Sequence, residues 1–364
     1  MVDCTFSAIV EDRPGAKWQQ LFASHWPAYR AWFLRSGIAE RPPYLACRRA
    51  IARFMPEWAA TWEKLVNLAG GGDIEARFLA MWCPPPYIAG CSQTVWERGG
   101  APVLVRNYDY PPNLLEGAWL ATRWTGQRVV AVSDCLCGVL DGINESGLAV
   151  SLSFGGRKIV GRGFGILLVL RYLLEFCQTT REAIEVLSRV PSHMTYSITL
   201  LDRRGEAATV YVAPDRATEV LKAHPITNHQ HSVEWPEHAR ATNTVQRQAS
   251  LVEAASQTTT VEGVVAALLR PPLYQTAYSR GYGTLYTAAY DPSALSAELI
   301  WPRRRWSQSV VDFQEGSLTI SFDQGLPAAS HGADVGHAAV LSRRQKPRRP
   351  DHRQQAVPVG GGQR

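Results

Sequence analysis

Cys91 directly follows Gly90 in the run Ile88-Ala89-Gly90-Cys91-Ser92-Gln93-Thr94, and Val105-Arg106-Asn107-Tyr108-Asp109 comes shortly after. That combination suits acyl transfer through a thioester. Glycine has no Cβ, so the chain can take strained dihedrals there and the Cys91 thiol can approach the Gly90 carbonyl. Attack on that carbonyl would move the acyl group from nitrogen to sulfur, and water would then release it. Cys91 would be left with a free α-amine. Such an amine has an unperturbed pKa of about 7.7–8.0, so a useful share of it is neutral at physiological pH. One residue would then carry nucleophile and base, as in N-terminal threonine enzymes. Taken alone, a Gly-Cys pair is far more often an ordinary small buried cysteine.

Further blocks follow in order. They are Arg106-Asn107-Tyr108-Asp109, Asp141 to Val150 (Asp-Gly-Ile-Asn-Glu-Ser-Gly-Leu-Ala-Val), Ile226-Thr227-Asn228-His229, and Gly283-Thr284-Leu285-Tyr286 running to Tyr290-Asp291-Pro292. With Cys91 they give residues 80 to 305 a pattern that resembles the peptidase C45 family. These are acyl-CoA:6-aminopenicillanate (isopenicillin N) acyltransferase-like N-terminal nucleophile hydrolases, distantly related to the choloylglycine hydrolases. The resemblance implies a cut between Gly90 and Cys91, with Cys91 as nucleophile. It places Arg106 and Asp109 beside the nucleophile, Asp109 steadying the α-amine and Arg106 a carboxylate or the substrate. It makes the Asn228 amide an oxyanion donor. The second donor falls on Ser153, where the choloylglycine relatives carry an asparagine. Ser92 could donate its backbone N–H or hydroxyl, Arg280 matches a Ser-Arg pair of acyltransferase relatives, and Asn144 shapes the turn from Gly142 to Gly147. The pleat sets a condition: positions 106 and 109 face opposite sides of a regular strand. Both reach one site only if that strand bends or ends at Tyr108-Asp109, before Pro111-Pro112.

The elements that must hold these residues are partly legible. Trp18, Leu21, Phe22, Trp26, Tyr29, Trp32 and Phe33 recur at helical spacing, with Pro27 expected to bend or restart the helix. Trp58, Thr61, Trp62, Leu65 and Leu68 repeat the pattern up to Gly70-Gly71-Gly72. Cys83-Pro84-Pro85-Pro86 predicts an extended approach to Gly90. Strands are predicted at 94–96, 103–108, 129–132, 148–154, 194–201, 208–213, 283–290 and 297–301, and helices at 164–177, 180–189 and about 238–269. Thr179 or Thr180 would cap the second of these helices. Strands, helices, strands and helices in that order suggest two sheets between helical layers. The fold class is therefore α+β, the four-layer αββα sandwich that the resemblance implies. Residues 1–90 would be a helical segment, 91–310 the catalytic domain and 330–364 a basic disordered tail.

With 364 residues, 46% of them hydrophobic, the chain can bury a sizeable core. Seven scattered cysteines argue against a disulfide framework and for a reducing compartment. The acidic start lacks the basic region of a signal peptide, and no apolar run reaches the roughly 20 residues of a membrane span. A cytoplasmic location is expected. Most of the net charge of +6 sits after Ser330, where seven basic side chains face two acidic ones. That tail has no apolar periodicity and reads as solvated, so nucleic acid is not the expected partner.

The expected partner is a small-molecule amide or acyl thioester, with no bound cofactor and acyl-CoA as a possible acyl donor. The two fragments of a cut chain could stay associated. His224, His229, His231, Cys135 and Cys137 lack zinc-like spacing. Gly161-Arg162-Gly163-Phe164-Gly165 lacks the dinucleotide spacing, and no nucleophile elbow or phosphate loop is present. The function these residues point to is an autoproteolytic N-terminal cysteine amide hydrolase or acyltransferase. The alternatives are an uncut binding protein of the same fold and an RNA-associated protein acting through its tail.

Overall fold

A computed structural model describes residues 2–322. The basic tail at 330–364 lies outside the described residues.

Residues ahead of Gly90 begin with a strand, β1 (Val2–Glu11), and only then turn helical. The Trp18 to Phe33 stripe forms α1 (Ala16–Leu34), burying Trp18, Phe22 and Phe33. Pro27 lies inside this helix, which neither stops nor restarts there. The second aromatic stripe becomes α3 (Ala59–Leu68), between α2 (Tyr44–Phe54) and α4 (Asp73–Leu79).

From the candidate cysteine onward the chain alternates hairpins and helices. β2 (Gly90–Trp96) and β3 (Val103–Tyr110) form the first hairpin. β4 (Ala118–Thr122), β5 (Val129–Asp134), β6 (Gly138–Asn144) and β7 (Ala149–Phe154) make a meander. α5 (Ile166–Phe176) and α6 (Thr180–Arg189) follow, the latter capped by the Thr179 hydroxyl accepting from the Glu182 N–H. Then come β8 (Tyr196–Leu201), β9 (Ala207–Ala213) and β10 (Arg216–Lys222). The helical stretch after residue 236 is three helices, α7 (Pro236–Ala241), α8 (Thr244–Gln257) and α9 (Val261–Leu268). The described chain closes with β11 (Gly283–Asp291), β12 (Ser296–Trp301), β13 (Arg304–Ser309) and β14 (Gly316–Phe322).

Nine strands form one sheet in the order β10-β9-β8-β7-β6-β5-β4-β1-β14, and five form another in the order β13-β12-β11-β3-β2. β2 and β3 pack on β7 and β8, so the sheets meet face to face near the cysteine. α5 and α6 cover the outer face of the larger sheet, and α8 and α9 that of the smaller. This is an α+β sandwich of four layers. α5 buries Ile166 through Glu175, including an Arg171–Glu175 ion pair at 3.3 Å that neutralises the two charges in an otherwise apolar run. Each fully buried leucine there contributes roughly 1.5–3 kcal/mol. β1 runs parallel to β4 and antiparallel to β14, so the first residues of the chain are built into the large sheet. All seven cysteines are free thiols.

Candidate active site

Cross-strand register decides which side chains meet. In the β2–β3 ladder Gly90 lies opposite Asp109, Cys91 opposite Tyr108, Ser92 opposite Asn107 and Gln93 opposite Arg106. Opposed residues share a face, and faces alternate along each strand. Cys91, Gln93, Arg106 and Tyr108 therefore point between the two sheets, while Gly90, Ser92 and Asp109 point toward α8. β3 does not end at Tyr108-Asp109 but runs on to Tyr110, and the irregularity expected there is a register shift in its pairing with β11, between Thr284 opposite Asp109 and Tyr286 opposite Tyr108. Arg106 and Asp109 do stand on opposite faces: Arg106 bonds the Cys91 sulfur directly, and Asp109 is linked to the cysteine through Arg247, which also holds the Cys91 carbonyl.

On the inner face the Arg106 Nη2 donates to the Cys91 Sγ at 2.9 Å, and its Nη1 donates to Asp141 Oδ2 at 2.6 Å and to the Leu140 carbonyl at 2.8 Å. Tyr286 and Tyr290 donate to the same Asp141 carboxylate. On the helix face the Asp109 Oδ2 accepts from Arg247 Nη1 at 3.0 Å and its Oδ1 from the Thr284 hydroxyl at 2.7 Å. Arg247, from α8, is fully buried. Its Nη1 also donates to the Cys91 carbonyl and the Ser92 hydroxyl, both at 2.9 Å, and its Nη2 to Asn228 Oδ1 at 2.5 Å.

Asn228 arrives on a short segment that extends the small sheet. Gln93 and Ile226 exchange backbone hydrogen bonds of 2.9 Å along the free edge of β2. The Asn228 side chain then brackets Gly90: its Oδ1 accepts from the Cys91 N–H at 3.1 Å, and its Nδ2 donates to the Ala89 carbonyl at 3.1 Å. Nδ2 also reaches the Ser153 hydroxyl at 3.1 Å, and that hydroxyl donates to the Thr227 carbonyl. Gly90 has no room for a side chain, since an added Cβ would lie 1.9 Å from the Tyr282 hydroxyl and 2.9 Å from Asp109 Cβ.

Burial dominates the electrostatics. It pushes the Cys91 thiol up to about 11, with Arg106 and Arg247 pulling the other way and Asp109 adding to the rise. The Asp109 carboxyl is raised by burial against the pull of Arg247, Thr284 and Arg106. For Arg106 burial opposes the charge, but Cys91 and Asp141 more than compensate and hold the guanidinium protonated. The enclosed cluster thus pairs two guanidiniums with two carboxylates around one thiol.

Of the residues singled out in the sequence, Gly90, Cys91, Ser92, Arg106, Asp109, Ser153 and Asn228 come together here. Arg280 does not: it is exposed at the end of a short 3-10 turn at Tyr278–Arg280. Asn144 shapes its turn as expected, its Oδ1 accepting from the Leu148 N–H at 2.9 Å, and its amide also ties that turn to the C-terminus of α5. Arg247 was not anticipated. Its signal was available, since Thr244, Arg247 and Leu251 share the buried stripe of α8, and a charge on such a stripe needs partners. The candidate metal residues scatter: His224 meets Tyr211, His229 meets Thr244 and His231 meets Glu219. Among the described residues no three His, Cys, Asp or Glu side chains converge as a metal site.

The sequence profile described as acyl-coenzyme A:6-aminopenicillanic acid acyl-transferase matches residues 96–306, more than half of the chain, and begins five residues after Cys91. No curated protein matches by sequence. Among solved structures, a mutant of the conjugated bile acid hydrolase from Clostridium perfringens is similar at 10% identity, over 66% of this chain and 100% of that one, with a TM-score of 0.45. The Caenorhabditis elegans ortholog of N-acylethanolamine-hydrolyzing acid amidase is similar at 16% identity, over 64% and 100%, with a TM-score of 0.45. Penicillin V acylase from Agrobacterium tumefaciens is similar at 16% identity, over 61% and 86%, with a TM-score of 0.41.

Proposed function

Because this chain belongs to the acyl-coenzyme A:6-aminopenicillanic acid acyl-transferase family, whose chemistry is amide hydrolysis or acyl transfer of the N-terminal nucleophile type, we propose that it cuts itself between Gly90 and Cys91 and then works through a thioester on Cys91. The observation that carries this reading is the Asn228 amide bracketing Gly90, its Oδ1 accepting from the N–H of the peptide to be cut (Cys91, 3.1 Å) and its Nδ2 donating to the carbonyl of the preceding peptide (Ala89, 3.1 Å).

In the first step Cys91 Sγ bonds to the Gly90 carbonyl carbon, the carbon–nitrogen bond breaks, and the departing nitrogen takes up the proton lost by the thiol. Water then hydrolyses the thioester, leaving Gly90 as a carboxylate and Cys91 with a free thiol and amine. Arg106, 2.9 Å from the sulfur, favours the thiolate that attacks. Arg247 holds the Asn228 Oδ1, which leaves the amide's donor end, Nδ2, on the acyl side of the bond, where it donates to the carbonyl of Ala89, one residue before the carbonyl that is attacked. In turnover, with that segment released, the same N–H would be free to donate to a substrate oxyanion. Ser153 steadies that donor end. Arg247 also lies close to the nitrogen that becomes the α-amine, and its charge favours the neutral, basic form of that amine; Asp109 limits the effect by pairing with it.

In turnover, the α-amine would take the thiol proton, the thiol would attack a small N-acyl amide, and the amine product would leave with that proton. Water or an acceptor amine would resolve the thioester, and an acyl-CoA would be an alternative acyl donor.

Intact mass and N-terminal sequencing of the purified protein test the reading. Expected is a heavy fragment beginning at Cys91 in the wild type and an uncut chain in Cys91→Ala. A wild-type chain that stays whole overturns it and favours an uncut binding protein.

A further inference from the structure

Tyr87, three residues before the proposed cut, is buried, and its ring occupies a pocket made of other tyrosines. Its hydroxyl donates to Asp134 Oδ2 at 2.8 Å and shares a 2.7 Å hydrogen bond with the Tyr108 hydroxyl. Its ring lies 5.7 Å from that of Tyr110, which stacks in turn on Tyr108 at 5.4 Å. Its carbonyl accepts from the Tyr196 hydroxyl at 2.7 Å. Asp134 is unusual among the buried acids near the site. Besides Tyr87 and Tyr108 its partners are the Tyr29 hydroxyl at 2.6 Å and the Cys135 N–H at 2.7 Å, and among the described residues it has no ion-pair partner.

This pocket adjoins the nucleophile. Tyr108 faces Cys91 directly across the β2–β3 ladder, and the guanidinium that bonds the Cys91 sulfur lies 5.3 Å from the Tyr108 ring centre. The occupant is, moreover, the acyl side of the first bond the protein would cut, since the thioester formed in self-cleavage would carry Gly90 and the residues before it. Upstream, Cys83 N–H is tied to the Gly163 carbonyl at 2.8 Å, and Pro84 to Pro86 separate that anchor from Tyr87. A cut after Gly90 would leave residues 84–90 attached at one end only.

Resting on the self-cleavage reading above, we propose that the Tyr87 pocket is the acyl subsite of the mature protein and that it takes a hydroxyaryl acyl group, a flat ring bearing a hydroxyl donor at its far end. The substrate ring would replace the Tyr87 ring against Tyr110, and its hydroxyl would replace the Tyr87 donor to Asp134 and Tyr108. A site built around a buried acceptor discriminates strongly against a ligand without the matching donor, because the acceptor is then left unpaired.

The test compares three 4-nitroanilides on the same mass-checked wild-type sample: 3-(4-hydroxyphenyl)propionyl, 3-(4-methoxyphenyl)propionyl and octanoyl. Expected is a kcat/KM for the hydroxyphenyl substrate about tenfold or more above either of the others. Tyr108→Phe, which removes one of the two partners with little change in volume, should lower the hydroxy-to-methoxy ratio severalfold. A cut protein with a ratio near one, or with a preference for the octanoyl anilide, overturns the subsite and leaves self-cleavage standing. An uncut wild-type protein overturns both.

Discussion

Two buried clusters of acids lie within reach of Cys91, and they are compensated differently. Around the cysteine each carboxylate has its own guanidinium, Asp141 with Arg106 at 2.6 Å and Asp109 with Arg247 at 3.0 Å. Around Asp134 and Glu116 the partners are phenols and backbone N–H groups: Tyr87 donates to Asp134, and Leu136 N–H donates to Glu116. The Tyr29 hydroxyl sits between the two acids, 2.6 Å from Asp134 and 2.8 Å from Glu116, and its one proton can go to only one of them. Burial raises the carboxyls of both Asp134 and Glu116. The contrast separates parts that must stay fixed from parts that can be exchanged. A buried ion pair cannot lose one member without stranding the other charge, whereas a neutral phenol can be replaced by another neutral donor at small cost.

The strongest way to break this comparison is to remove one arginine. Arg247→Leu strands Asp109 and unties Cys91, Ser92 and Asn228 together, so a loss of about 3–5 kcal/mol in urea unfolding is expected, the scale for one partner of a buried pair. A loss under 1 kcal/mol would mean that the pair is not compensating buried charge. Next comes Asn228→Ala, which leaves both ion pairs in place. Turnover should fall about a hundredfold or more, the scale of one oxyanion donor. Stability should fall by less than for Arg247→Leu, about 1–3 kcal/mol for the buried Cys91 N–H and Arg247 donors left without the amide oxygen. An unchanged rate would remove the amide from the chemistry.

The smallest effect belongs to the phenol-lined acids. Asp134→Asn should change stability by less than about 1 kcal/mol at pH 5, since the amide oxygen can accept from Tyr29 and the Cys135 N–H while its NH2 donates to the Tyr87 and Tyr108 oxygens, which turn from donors to acceptors. The sign of its pH dependence follows from the raised Asp134 carboxyl. The folded protein then holds more protons than the unfolded chain, so the acid's contribution is full at low pH and is lost as pH rises through the folded-state pKa. Asparagine has no such loss, and the variant should gain on the wild type between pH 5 and pH 8 in urea titrations. A gap that shrinks over that range would show the acid to be stabilised as a charge.

How far the sequence could be read follows the same division. Cys91, Arg106, Asp109 and Asn228 could be placed together because each lies in a short block of distinctive types. Arg247 could not, because one arginine in a helix with exposed neighbours such as Val245 reads as a solvated side chain until its stripe is seen to be buried. Arg280 shows the reverse: a Ser-Arg pair attracted attention, but in the fold it is exposed. Strands with alternating or strongly apolar sequence, such as Tyr196–Leu201 and Gly283–Asp291, were legible. β10 and β13 were not, since their residues are mostly polar and exposed and only hairpin pairing with a neighbour makes them strands. β6 was hidden for the opposite reason. It is buried along its whole length and carries two glycines, so no period of two survives.

β1 bears on what a cut chain would be as a physical object. It lies between β4 and β14 in the large sheet, so residues ahead of Gly90 supply an interior strand to a sheet otherwise built from residues after it. On the proposed cut, one polypeptide becomes two that share this sheet. Folding of the intact precursor is then a unimolecular event at any dilution, whereas recovery of the mature protein from denaturant is a bimolecular one. Its yield would fall as the solution is diluted, and its apparent melting temperature would depend on concentration. Maturation would in this way convert a chain that can refold alone into one that is assembled once.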